Sequence, residues 1–255
     1  MYSFKRLSQV FKSAQNISFD DSSKIVLISD CHRGDGSGAD DFSRNQLPYF
    51  AALTYYNKKN KKYVKSEFNG YFDEHEKKYI HSFKDIKFHE GLVLKHSVTG
   101  DKILLLHGHQ ADYFNDKLWR LSRFLVRYLW RPLELIGIND PTSTSKNNAK
   151  KACIKKNLIE WVKKEKQMLI AGHTHRTMFP KTDEPPYFND GSCVHPRCIT
   201  GIEIVDGYIS LIKWHVKTKP DGSLFVDKDL IEGPIRLKDY FNKELVSKKE
   251  YSVVK

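Results

Sequence analysis

Disulfide frameworks, membrane spans and repeats are what this 255-residue chain lacks. Its four cysteines, Cys31, Cys153, Cys193 and Cys198, are scattered, with no Cys-x-x-Cys and no paired spacing. That excludes a small disulfide-stapled scaffold and, with no signal peptide at the start, leads to the expectation of a reducing cytoplasm. No run of about 18 apolar residues occurs, so no helix is expected to span a membrane. No solenoid-type repeat and no Pro/Gly/Ser-rich linker divides the sequence, so one domain over residues 1–255 is expected. Acidic residues are also short: 31 Asp and Glu against 43 Lys and Arg leave a formal net charge of +12. Such a balance suits phosphate esters, nucleic acid or anionic lipid headgroups, and equally suits solvated faces decorated with lysine. No recognised nucleic-acid motif accompanies the charge, so nucleic acid is not an expected partner.

What is present begins with an apolar amphipathic stretch. Phe4, Leu7, Val10, Phe11 and Ala14 fall at helical spacing, which predicts an N-terminal helix within residues 1–20 that packs on the domain or touches a membrane surface. The run KIVLISDCHRGDG, Lys24 to Gly36, then carries a strand straight into Asp30-x-His32. A helix is expected from about Asp40 to Tyr56, followed by the charge-dense NKKNKKYVKSEF with no strand before it. Two period-2 apolar runs flank Thr99-Gly100-Asp101, a hairpin signature, and the second ends on His107-Gly108-His109. Residues 113–138 read as an aromatic and basic helical insert broken by Pro132. A helix over 146–164 leads to the strand of QMLIAGHTHR, again ending on ligand-type residues, and the last third reads as short strands with 216–255 as a C-terminal extension.

The chemistry lies at those strand ends. Asp30, His32, His107, His173 and His175 are five ligand-type residues at three strand ends, where α/β folds carry their ligand-binding loops. In Gly172-His173-Thr174-His175 the spacing sends both imidazoles to one side of an extended loop, and the glycine permits close backbone approach. Carboxylate plus imidazole without cysteine suits a divalent Mn, Fe, Zn, Co or Ni ion.

Taken in order, Asp30-x-His32, His107-Gly108 and Gly172-His173-x-His175 resemble the first, fourth and fifth motifs of the calcineurin-like metallophosphoesterases. The resemblance spans about Lys24 to His215 and implies a four-layer α/β/β/α sandwich with two divalent metal ions. It implies hydrolysis of a phosphomonoester or phosphodiester by metal-activated water. It places Asp30, His32 and His175 on one metal and His107 and His173 on the other. Arg33 and Arg176 are candidate phosphate contacts or surface ion pairs. Asn189, with Gly191 and Ser192, is a candidate pocket residue, and His109 and His195 could back the ligands or be structural.

Two motifs of that family are not found in the sequence. One is a Gly-Asp at a strand end, whose carboxylate bridges the metals; the other is Gly-Asn-His, whose histidine serves the leaving group. Gly34-Asp35 and Gly100-Asp101 sit in the wrong places, and no Gly-Asn-His occurs. The repeated Asn-Lys-Lys in YYNKKNKKYVK leads to the expectation that a strand–helix segment has been lost near residues 57–62. With the bridging carboxylate and the proton donor gone, one metal or none is expected and hydrolysis should be impaired, the lost acid alone costing about 10²–10⁴ in rate. No catalytic residue is then retained, and an inactive member serving as a binding or regulatory module is the alternative. A sheet that loses a strand must re-pair, expose an edge or find a partner, so a homodimer enters the expectations. The insert at 113–138 could be a lid, a peripheral membrane contact or a packed helix.

Overall fold

The computed structural model describes residues 2–32, 42–58, 62–66, 89–117 and 147–241. In chain order these form α1 (Tyr2–Ser13), β1 (Gln15–Phe19), β2 (Lys24–Ser29), α2 (Gln46–Lys58), β3 (Lys62–Ser66), β4 (Gly91–His96), β5 (Lys102–Leu106) and α3 (Tyr113–Lys117). There follow α4 (Asn148–Glu165), β6 (Met168–Ala171), β7 (Tyr187–Asn189), β8 (Cys198–Val205), β9 (Tyr208–Thr218), β10 (Leu224–Arg236) and α5 (Lys238–Phe241). The strands make two five-stranded sheets, ordered β1-β4-β5-β6-β7 and β10-β9-β8-β2-β3.

The central strands are apolar on both faces because both faces are covered. Successive strand residues point to opposite sides. In β2, Ile25 and Leu27 join a cluster between the sheets, while Val26 and Ile28 join one on the outer face. In β5, Ile103 and Leu105 turn inward, and Leu104 and Leu106 turn out against α1 and α4. The inner cluster takes side chains from both sheets, including Met168, Phe188, Ile202 and Leu211. Leu7, Leu158 and Trp161 cover the outside of the first sheet, and Tyr49, Ala52 and Tyr56 of α2 cover the outside of the second. Helix, sheet, sheet, helix is therefore the layer order, the α/β/β/α sandwich expected.

Three boundaries differ from those expected. The N-terminal helix ends at Ser13, and Gln15–Phe19 pairs in parallel with β4, since a helix cannot bury the alternation that ends on Phe19. Within the C-terminal extension the short strand expected at SLFVD runs on as Leu224–Arg236, and β10 pairs with β9 through two register shifts at one edge of the second sheet. Lys62–Ser66 is a strand parallel to β2, with Ile25 opposite Lys62 and Ser29 opposite Ser66. The lysine-rich stretch thus supplies a strand at the edge of the sheet formed by the described residues. Tyr63 and Val64 favour extended backbone, and lysines suit an edge because charge discourages further pairing. β2, α2 and β3 follow one another in the chain, and β2 and β3 pair in parallel. Of the insert at 113–138, only α3 lies within the described residues.

Candidate metal centre

Three strands from two sheets end at one place. β2 delivers Asp30 and His32, β5 delivers His107, and β6 delivers His173 and His175. β5 and β6 are parallel neighbours with Leu106 opposite Ala171, and the Gly172 N–H donates to the His107 carbonyl at 2.9 Å. The second sheet is joined by the His173 N–H, which donates to Asp30 Oδ2 at 2.6 Å. Four of the five residues hold left-handed backbone: Asp30 (φ 52°), His32 (43°), His173 (67°) and His175 (54°). Such conformations cost about 1–3 kcal/mol each, and they collect where surrounding structure imposes a side-chain direction for function. Glycine is needed twice here. Gly108 has φ 112°, and a Cβ on Gly172 would lie 2.2 Å from Ser29 Oγ.

The side chains converge on one carboxylate oxygen. Asp30 Oδ1 lies 3.4 Å from His107 Nε2, 3.4 Å from His175 Nε2 and 3.6 Å from His32 Nε2. It is buried, yet it has no hydrogen-bond partner among the described residues. Its sister Oδ2 is fully engaged, accepting from the His173 N–H and from Ser29 Oγ at 2.9 Å. Two ligands of a single tetrahedral ion at about 2.1 Å stand roughly 3.4 Å apart, so the spacing around Oδ1 fits a cation. Asp30, His32 and His175 place one ligand atom each within 4.8 Å of one another and could hold a metal. His107 Nε2 also lies 3.3 Å from His173 Nδ1.

Protonation follows from burial and charge. Burial pushes the Asp30 carboxyl up, but facing His107, His175 and His32 outweigh it and hold it well below the usual carboxylate range. Burial lowers His175 despite the Asp30 charge, and brings His107 down to about 4. His107 and His175 are therefore neutral near pH 7, as a metal would require of them.

Four residues that sequence reasoning missed hold this arrangement. Ser29 Oγ stands 2.7 Å from Asp190 Oδ1 as well as 2.9 Å from Asp30 Oδ2. A hydroxyl has one proton to give. Ser29 gives it to ionised Asp30, and Asp190, whose carboxyl burial raises well above its ordinary value, donates to Ser29. Asp112 Oδ2 lies 3.5 Å from His173 Nε2 and 2.8 Å from Lys150 Nζ. Burial opposes the Asp112 charge, but His173 and Lys150 bring it down to about 2. A serine before a motif aspartate, or an aspartate five residues past a motif histidine, carries no signal of its own in one sequence.

The remaining expected residues divide. Asn189 is buried and its amide donates to the Gly172 carbonyl at 2.7 Å and to Thr174 Oγ1 at 3.2 Å, so it braces the histidine loop. His195 is exposed, its Nε2 2.9 Å from the His175 carbonyl. Arg176 is exposed and donates to Asn148 Oδ1 at 2.8 Å, at the start of α4. Arg33 lies outside the described residues. Burial pushes His109 down to about 3, and it groups with Glu90 and Asp116, both of which already pair with Arg6.

No family model and no curated protein matches the chain. Among solved structures it is similar to Vps29 of Chaetomium thermophilum, at 13% identity over 82% of this chain and 97% of that one, with a TM-score of 0.37. It is also similar to Vps29 of the same organism complexed with a RaPID-derived cyclic peptide, at 13% identity over 82% of this chain and 96% of that one, with a TM-score of 0.39.

Proposed function

We propose that this chain is a divalent-metal-binding relative of the calcineurin-like metallophosphoesterases, with impaired hydrolysis of phosphate esters. Asp30, His32, His107, His173 and His175 are its metal-binding residues in this reading. One observation carries it: a buried, ionised carboxylate oxygen has three imidazole nitrogens within 3.4–3.6 Å and, among the described residues, no hydrogen bond. Leaving a buried polar atom unsatisfied costs about 1–3 kcal/mol, more when it is charged, and a cation removes that cost. A bound divalent ion supplies a polarised phosphoryl oxygen and an acidified water. The chain itself contributes the orientation of Asp30 through Ser29 and His173, and keeps His107 and His175 neutral by burial. The missing Gly-Asn-His favours a second reading, an inactive binding or regulatory module on the same fold.

Elemental analysis of the purified chain, with turnover of bis-(p-nitrophenyl) phosphate and p-nitrophenyl phosphate under added Mn²⁺, tests the proposal. Bound metal that Asp30→Ala removes, with low turnover, is the expected result. Bound metal with no turnover at all selects the binding-module reading. A chain that takes up no metal refutes the centre. Two ions with rapid turnover refute the impairment and point to a carboxylate past β3, where Glu67 follows Ser66 in sequence as Asp30 follows Ser29. Glu67→Gln then lowers the ion count.

A further inference from the structure

We infer that Asp112 and Lys150 form a positioning pair that keeps the proton of His173 on Nε2 and so leaves Nδ1 open to a divalent cation. The inference rests on the metal-centre reading above. A neutral imidazole carries one N–H and one lone pair, and the partner of one nitrogen decides the role of the other. Both nitrogens of His173 have a neighbour. Nε2 faces Asp112 Oδ2 at 3.5 Å, and Nδ1 faces His107 Nε2 at 3.3 Å. A carboxylate only accepts, so the proton belongs on Nε2 and the lone pair of Nδ1 turns towards His107.

Asp112 is placed firmly enough to do this. Its side chain is almost wholly buried, its N–H donates to the His109 carbonyl at 2.8 Å, and its carbonyl accepts from Asp116 at 2.9 Å. A buried carboxylate needs a counter-charge, and Lys150 supplies one at 2.8 Å to the same oxygen that faces His173. Lys150 is itself fixed at the first turn of α4, where its N–H donates to the capping Asn147 side chain at 3.0 Å. The pair therefore ties the start of α4 and the segment after β5 to one ring of the centre. It touches the centre at the ring of His173, whose other nitrogen faces His107.

The test uses the full chain freed of metal. Long-range proton–nitrogen spectra of the histidine rings, assigned with His173→Gln, read the tautomer directly, and Co²⁺ titration reads the affinity. Wild type should carry the His173 proton on Nε2. Asp112→Ala should mix the tautomers and weaken Co²⁺ binding about 10- to 100-fold, whereas Asp112→Asn, which keeps an acceptor oxygen, should hold the tautomer and recover most of the affinity. Lys150→Met should fall between. A His173 proton on Nδ1 in wild type overturns the inference, as does a folded Asp112→Ala that binds Co²⁺ like wild type. If Asp112→Ala does not fold, the asparagine and methionine variants decide: wild-type tautomer and affinity in Lys150→Met remove Lys150 from the pair, and an Asp112→Asn that loses the tautomer removes the acceptor role. A wild-type chain that binds no Co²⁺ defeats the metal-centre reading, while the metal-free spectrum still decides the positioning.

Discussion

Replacing Gly172 with alanine should disable the centre while leaving the fold standing. Its φ lies outside the left-handed region, so space alone decides the outcome. The new Cβ would sit 2.2 Å from Ser29 Oγ, 2.6 Å from Asp30 Oδ2 and 2.9 Å from Ser29 Cβ. Favourable contact begins near 3.5 Å, so β6 and the end of β2 must part by roughly 1 Å. Those strands belong to different sheets whose facing side chains are packed between them. Overpacking of this kind costs about 1–3 kcal/mol, or roughly 2–12 °C in Tm for a chain of this size. The larger effect should be on metal, because a ligand set tolerates only about 0.5 Å of displacement. The assay is the rise in Tm on adding Zn²⁺ or Mn²⁺, which for a wild-type site saturated a hundredfold corresponds to about 2.7 kcal/mol. In Gly172→Ala that rise should disappear. Gly100→Ala is the control: nothing lies within 4 Å of its Cβ, but its φ of +76° makes alanine strained. It should lower Tm through roughly 1–2 kcal/mol of left-handed strain and keep the metal-induced rise. A Gly172→Ala protein with wild-type metal affinity would falsify the idea that close approach of the two sheets sets the site.

Ser29→Ala should cost about 1–3 kcal/mol and weaken metal binding, because it strips a hydrogen bond from each of two buried carboxyls. Asp190→Asn should bind metal like wild type, since an amide N–H replaces the carboxyl proton that Ser29 accepts. It should also gain stability at pH 7 relative to pH 4. The raised Asp190 keeps its proton when folded and releases it when unfolded, so wild-type stability is lost as pH rises above the ordinary carboxyl range. Urea unfolding at the two pH values measures this, and loss of metal binding in the asparagine variant would show that Asp190 works as a carboxylate. His107 acts with the opposite sign in metal-free protein. Burial brings it from 6.5 to about 4, so between those values the unfolded chain binds a proton that the folded chain does not. Stability should then fall by on the order of 3 kcal/mol as pH drops through that window. His107→Gln should flatten the curve, and parallel curves for the two proteins would refute the assignment.

The strands that carry the ligands were legible because they are short apolar runs ending on Asp or His, and burial on both faces leaves no polar alternation to mislead. The hairpin at Thr99–Asp101 and the helix Asn148–Glu165 were legible for similar local reasons. β3 was not, because its five residues hold two lysines and a serine and its strand character comes from pairing with β2. β1 was hidden behind the helical pattern that precedes it, and of β10 only SLFVD was legible, because beyond it the strand is half-buried or exposed at a sheet edge.

The sequence by itself determined the candidate ligand types, their order along the chain and the layered α/β architecture, because these follow from residue chemistry and from period-2 burial. Only the tertiary structure decided that Asp30 from one sheet meets His107, His173 and His175 from the other, and that Ser29, Asp112, Lys150 and Asp190 hold them. Those contacts join residues far apart in the chain, and their energies depend on burial and on distances of a few ångströms. Neither quantity exists until the two sheets are packed face to face.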